Sequence, residues 1–121
     1  MILVDTSVWI DHLRRGDKML ARLLEHNRVG MHAMVLGELA CGNLRNRPQL
    51  IKLWDDLEFL PEASHHEAMY FLEKHRLMGK GIGYIDVHLL ASATLATGAK
   101  LWTRDKRLAS IAEELGSAWP V

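Results

Sequence analysis

Four acidic residues stand where solvation is not the obvious reason for them. Asp5 directly follows the apolar run Ile2-Leu3-Val4, and Asp105 follows Leu101-Trp102-Thr103 after one intervening residue. Glu38 interrupts the apolar and small stretch from Met34 to Gly42, and Asp86 opens a segment rich in Leu and Ala. A buried carboxylate without a partner is expensive and tends to neutralise. Gly37 and Ala40 suggest close packing around Glu38, and no Lys or Arg lies within four residues of it. Compensation would then come from a distant side chain or from a cation. Acids that converge with few bases between them suit a hard divalent ion. Mg²⁺ takes oxygen ligands in octahedral geometry and retains waters, and Mn²⁺ fits similar sites. The hydroxyls of Thr6, Ser7 and Thr103 flank the strand-end acids and are placed to orient a carboxylate or a water at the ion. The competing structural readings are turn residues or helix caps for Asp5, Asp105 and the hydroxyls. For Asp86 the alternative is a charge favourable at a helix N-terminus, and for Glu38 an exposed position on an amphipathic helix.

Alternating elements must position these residues. Ile2–Val4 reads as a strand buried on both faces, as in a parallel sheet. Thr6 or Ser7 is expected to cap a helix that stops at Gly16, and Asp17 to cap a second one with Leu20, Leu23 and Leu24 on one face. Val29–Met31 is a second strand, followed by a helix over Val35–Cys41 and another opened by Pro48. Glu58–Leu60 is a short strand. Ser64 and Glu67 have the capping-box spacing for a helix reaching about Met78, and Gly79–Gly83 is a flexible connection. Tyr84 or Ile85 to Thr97 is a helix apolar enough to be buried nearly all round. Leu101–Thr103 is the fourth strand, Lys106–Leu115 the last helix and Ala118–Trp119 a last short strand. Strands alternating with helices predict an α/β domain with a mostly parallel sheet. Such a sheet binds ligands beyond the carboxyl ends of its strands, where Asp5 and Asp105 would meet from opposite ends of the chain.

In these motifs the chain resembles the PIN-domain nucleases, specifically the VapC-type ribonuclease toxins. The resemblance lies in Val4-Asp5-Thr6-Ser7-Val8-Trp9-Ile10, Gly37-Glu38-Leu39, Tyr84-Ile85-Asp86-Val87-His88-Leu89-Leu90-Ala91 and Leu101-Trp102-Thr103-Arg104-Asp105. These stretches span nearly the whole chain. The resemblance implies a PIN-like three-layer α/β/α fold and a Mg²⁺- or Mn²⁺-dependent endoribonuclease, normally a homodimer, inhibited by a cognate antitoxin protein. Asp5, Glu38, Asp86 and Asp105 match the family's four acidic positions, and Thr6 and Thr103 its small hydroxyl positions. On this reading Asp5 and Asp86 are the main metal ligands. Glu38 is a ligand or the base that orients the attacking water, and Asp105 completes the site.

The rest of the sequence bounds the alternatives. The 121 residues are expected to form a single nuclease domain over 1–121. One cysteine, Cys41, allows no internal disulfide. The start of the chain lacks a signal-peptide pattern and no apolar run spans a membrane, so the expectation is a cytoplasmic protein. The seven histidines lack metal-ligand spacing. His88 faces away from Asp86 on the same helix, as a packed or hydrogen-bonded core residue. Asp11, Asp55 and Asp56 read as solvated helix-face acids. Trp9, Trp54, Trp102 and Trp119 read as core or dimer contacts. Basic residues cluster at Arg14, Arg15 and Lys18, at Arg45 and Arg47, and at Arg104, Lys106 and Arg107. These, with Lys80, are candidates to track an RNA backbone. Two rival functions are a non-catalytic metal-dependent binding module for RNA or a protein partner, and phosphoryl transfer through an Asp5 nucleophile. The second lacks another acid two residues on. Fifteen Lys and Arg balance fifteen Asp and Glu. With the four candidate acids set aside the remainder is +4, a mildly basic shell around an acidic pocket.

Overall fold

A computed structural model describes residues 1–120 of the chain. Its core is a parallel sheet in the order β3-β2-β1-β4, made of β1 (Ile2–Val4), β2 (Val29–Met31), β3 (Glu58–Phe59) and β4 (Lys100–Trp102). All three β1 residues are buried, as a strand covered on both faces requires. Chain order runs outward from β1 through β2 to β3, then returns to β1's other side with β4, in the register Val4 opposite Trp102. The connections therefore reverse direction beside β1, creating a topological switch point, where open parallel sheets hold their ligands. In β2, Gly30 leaves room for Leu60, whose side chain occupies the space a Cβ would need.

Two groups of helices cover the sheet. α1 (Thr6–Arg15) packs on α3 (Ala33–Ala40), which packs on α4 (Arg47–Asp55), while α2 (Lys18–Glu25) lies against β2. α5 (His65–Lys74) packs on α6 (Tyr84–Leu95), and α6 and α7 (Lys106–Glu114) pack on β4. The result is the expected three-layer α/β/α arrangement. Seven consecutive α6 residues, Val87–Ala93, are buried, in line with their all-round apolar character. Trp9 and Trp54 meet edge to face at 5.9 Å in the core, and Trp102 packs against Trp119 at 4.9 Å. Among the described residues no helix is long and apolar enough to cross a membrane.

Several element ends differ from expectation, and local chemistry accounts for most of them. α3 begins at Ala33 rather than Val35, because His32 caps it by accepting the Met34 N–H at 3.1 Å. α5 keeps its capping box but ends at Lys74, short of Met78, as Arg76 turns into the left-handed region at φ 52°. The expected last strand reduces to one bridge, Leu101 to Ala118. β4 stops at Trp102, which releases Thr103 from the sheet.

Candidate active site

The carboxyl ends of β1 and β4 lie side by side, and Asp5 donates its N–H to the Trp102 carbonyl at 2.9 Å. Asp5 stands at the N-cap of α1 yet makes no side-chain cap bond. Thr6 and Ser7 do not cap α1 through their side chains either, contrary to expectation, because all three side chains are committed across the site. Ser7 Oγ donates to Asp5 Oδ2 at 2.8 Å, and Thr103 Oγ1 donates to the same oxygen at 2.7 Å. The Arg104 N–H donates to Ser7 Oγ at 3.0 Å and the Asp105 N–H to Thr103 Oγ1 at 3.1 Å. These bonds form a closed clasp that holds residues 5–7 to residues 103–105.

The other acids are tied down in the same manner. Thr6 Oγ1 donates to Glu38 Oε1 at 2.7 Å, linking α1 to α3. Asp86 Oδ2 accepts the Gly83 N–H at 3.0 Å, fixing the carboxylate at the first turn of α6. Asp105 Oδ1 caps α7 by accepting from Arg107 N at 2.9 Å and Leu108 N at 3.2 Å. Each of the four carboxylates thus has one oxygen engaged by hydroxyl or amide donors. The second oxygens, Asp5 Oδ1, Glu38 Oε2, Asp86 Oδ1 and Asp105 Oδ2, have no protein donor among the described residues.

The four charges also feel one another. Burial holds the Asp86 carboxyl above the ordinary carboxylate range. The Gly83 N–H opposes this, and the negative charges of Asp5, Asp105 and Glu38 add to it. Like-charge crowding at a half-buried acid is relieved by a cation, and the open oxygens offer that cation hard ligands. Among the described residues no three acids, histidines or cysteines close into a ready-made ion cage.

Glu38 departs from expectation in one respect. It is exposed, and a Cβ added at Gly37 would meet nothing within 4 Å. The close packing inferred from its small neighbours is absent, and those neighbours leave the helix face open instead. Asp11 and Asp17 are not merely solvated or capping. Arg104 donates to Asp11 Oδ2 at 3.0 Å and Asp17 Oδ2 at 2.7 Å and lies 5.5 Å from the centre of the Trp102 ring. For Asp17, burial raises the carboxyl, but the Leu20 N–H and the hydrogen bond and charge of Arg104 outweigh it and hold it below the ordinary range. This lock was invisible in the sequence because its partners lie 93 and 87 positions apart. It removes Arg104 from the cations free to meet RNA.

His88 is buried against Tyr84 and His32. Neither of its ring nitrogens has a partner among the described residues, so it packs without the hydrogen bond usual for a core histidine. Burial lowers its pKa and that of His32.

The PIN domain family model matches residues 2–114. Two relatives named Ribonuclease VapC32, from two strains of Mycobacterium tuberculosis, are each 45% identical over 118 residues, spanning 98% of this chain and 95% of theirs. The crystal structure of PAE2754 from Pyrobaculum aerophilum superposes with a TM-score of 0.66 over 95% of this chain and 94% of that one. At 15% identity that likeness concerns the fold alone. A switch-point acid cluster on this sheet, with near full-length identity of this order, leaves one conclusion: the chain belongs to the PIN domain family, and within it to the VapC type.

Proposed function

We propose that this chain is a Mg²⁺- or Mn²⁺-dependent endoribonuclease, the toxin of a toxin–antitoxin pair, which cleaves RNA phosphodiesters in the cytoplasm. PIN-domain ribonucleases generally use a divalent metal ion. The observation that carries the reading is the set of four carboxylates, each with one oxygen anchored and one open. Asp5 and Asp86 would be the principal ion ligands, with Asp105 completing the site. Glu38, exposed and turned towards Thr6, is either a further ligand or the base that orients the attacking water. When bound, a divalent ion supplies positive charge for the phosphate and leaving oxygen and makes water acidic enough to attack near neutral pH. Ser7 and Thr103 both hold Oδ2 of Asp5, so its open oxygen would need little reorganisation to bind. Thr6 does the same for Glu38.

A cognate antitoxin and a second copy of the chain belong to the same proposal. Exposed apolar side chains, such as Tyr70 on α5 and Leu95 on α6, supply surface of the kind a protein partner covers.

The test is cleavage of mixed single-stranded and structured RNA by the purified chain with Mg²⁺, with Mn²⁺ and with chelator. Cutting should require the metal and fall below detection in both Asp5→Asn and Asp86→Asn. Undiminished cutting by either variant would remove that residue from the site. Metal-dependent RNA binding without cutting by the wild type would favour the non-catalytic module.

A further inference from the structure

The cations around the acid cluster are not equivalent. Arg104 is held between Asp11 and Asp17, and Arg15 lies 3.5 Å from Asp11. A separate cleft of about 420 Å³, sharing no residue with that network, is lined by Lys80, Lys106, Arg107, Ser110, Ile111 and Glu114. Three of these residues are cationic and one is acidic. Glu114 approaches Lys80 only to 3.9 Å, with both side chains well exposed, a pair that contributes little. The Lys106 and Arg107 side chains have no acidic partner among the described residues.

Both walls of the cleft lead directly to site acids. Lys106 and Arg107 are the first two residues of α7, whose N-cap is Asp105. Lys80 lies in the loop that ends at Gly83, whose N–H holds Asp86. Within that loop Gly81 adopts φ +80°, and a Cβ there would stand 2.5 Å from Arg107 Nη1 and 2.7 Å from Arg107 Cδ. The missing side chain thus lets Arg107 cross from α7 to lie against Gly81, on the cleft that Lys80 also lines.

We propose that Lys80, Lys106 and Arg107 bind backbone phosphates of single-stranded RNA next to the cleavage point. The proposal rests on the ribonuclease reading and deepens it. A substrate polyanion cannot approach four carboxylates without cations along its path, and uncommitted ones line this cleft. Arg and Lys contacts to phosphates position a strand without reading its sequence, so this cleft would set affinity and register rather than base choice.

Binding of a fluorescently labelled single-stranded RNA, followed by anisotropy in Ca²⁺ across a range of KCl, tests it. The triple variant Lys80→Gln/Lys106→Gln/Arg107→Gln should weaken Kd by about tenfold or more. Its salt slope should be shallower by about 2, at roughly 0.7 per single-strand phosphate contact. Glu114→Gln should act oppositely and tighten binding two- to threefold. Lys52→Gln on α4, which removes a positive charge elsewhere, should leave Kd unchanged. All five positions are exposed, and an unchanged Tm would verify folding; Lys106→Gln alone is the fallback should the triple variant not fold. Wild-type Kd and salt slope in the triple variant would overturn the proposal. So would an equal loss in Lys52→Gln, or competition by polyglutamate as strong as by RNA, which would point to an acidic protein segment. Cleft-dependent binding with no cutting in any metal would leave the cleft standing and sink the ribonuclease reading; cutting indifferent to the triple variant would do the reverse.

Discussion

On the flank of the acid cluster formed by α1, the start of α2 and the end of β4, Arg104 and Arg15 are spent on Asp11 and Asp17. On the flank formed by α7 and the loop before α6, the Lys106 and Arg107 side chains form no ion pair among the described residues. The first flank uses charge to fix backbone: the residue that carries the ion pairs also donates its N–H to Ser7, and Ser7 holds Asp5. The second keeps charge available for a ligand. Equal numbers of bases in a sequence can therefore mean rigidity in one place and recognition in another, and the difference lies in which acids fold beside them.

If this division is right, damage to the two flanks separates in the kinetics. The largest effect is expected from the clasp itself. Thr103→Val removes one donor to Asp5 while keeping shape, and should lower kcat by about 10–100-fold with a smaller change in KM. A loss confined to KM would mean the clasp serves binding, and the contrast would break. Arg104→Ala should come next. It removes a partly exposed charge network that contributes on the order of 1 kcal/mol, so chemical denaturation should show a lower midpoint. RNA cleavage should fall severalfold through kcat, with the salt slope of binding unchanged. Arg104→Lys should restore only part, because a single ammonium does not reproduce the planar fork that spans two carboxylates. A shallower salt slope in Arg104→Ala would assign this residue to RNA after all.

The smallest expected effect concerns Asp86 without metal. Its folded pKa is raised above the ordinary carboxylate value, mainly by burial. The folded state therefore disfavours the ionised carboxylate, and this costs stability once pH exceeds the unfolded pKa. Asp86→Asn should raise the Tm of the metal-free protein by a few degrees at pH 7. The gain should shrink as pH falls through the raised folded pKa and vanish below the unfolded one, where Asp86 is neutral in both states. An excess of Mg²⁺ should raise the wild-type Tm more than that of the variant. A variant less stable than wild type at pH 7 in chelator would show that the Gly83 bond outweighs the charge crowding.

Much of the fold and part of the site were legible in the sequence, for a reason visible at β1 and β4. A short apolar run followed closely by an acid marks a buried strand and the carboxyl edge of the sheet at once, so Ile2–Val4 with Asp5 and Leu101-Trp102 with Asp105 point to the same edge. Asp86 and Glu38 drew notice as acids in apolar surroundings, but only Asp86 lies in such surroundings. Glu38 is exposed because the small residues near it leave its face of α3 open rather than covered. Thr6, Ser7 and Thr103 stood out by adjacency to acids. Which acid each would hold, and that none of the first two would cap α1, depended on contacts across 32 to 98 positions. The Arg104 lock had no local signal, since neither Asp11 nor Asp17 lies near it in sequence.

The clasp between residues 5–7 and 103–105 also sets when the site can exist. Asp5 is synthesised well before Thr103, which lies 98 positions later and is followed by Asp105. Until β4 has left the exit tunnel and inserted beside β1, the Asp5 carboxylate lacks one of its two hydroxyl anchors, and the cluster lacks its fourth acid. Parallel pairing between the two ends of the chain is also a slow, non-local step. A nascent or truncated chain therefore carries the first three acids without an assembled centre. The order of synthesis keeps the candidate site unformed until β4 and the residues that follow it have been translated.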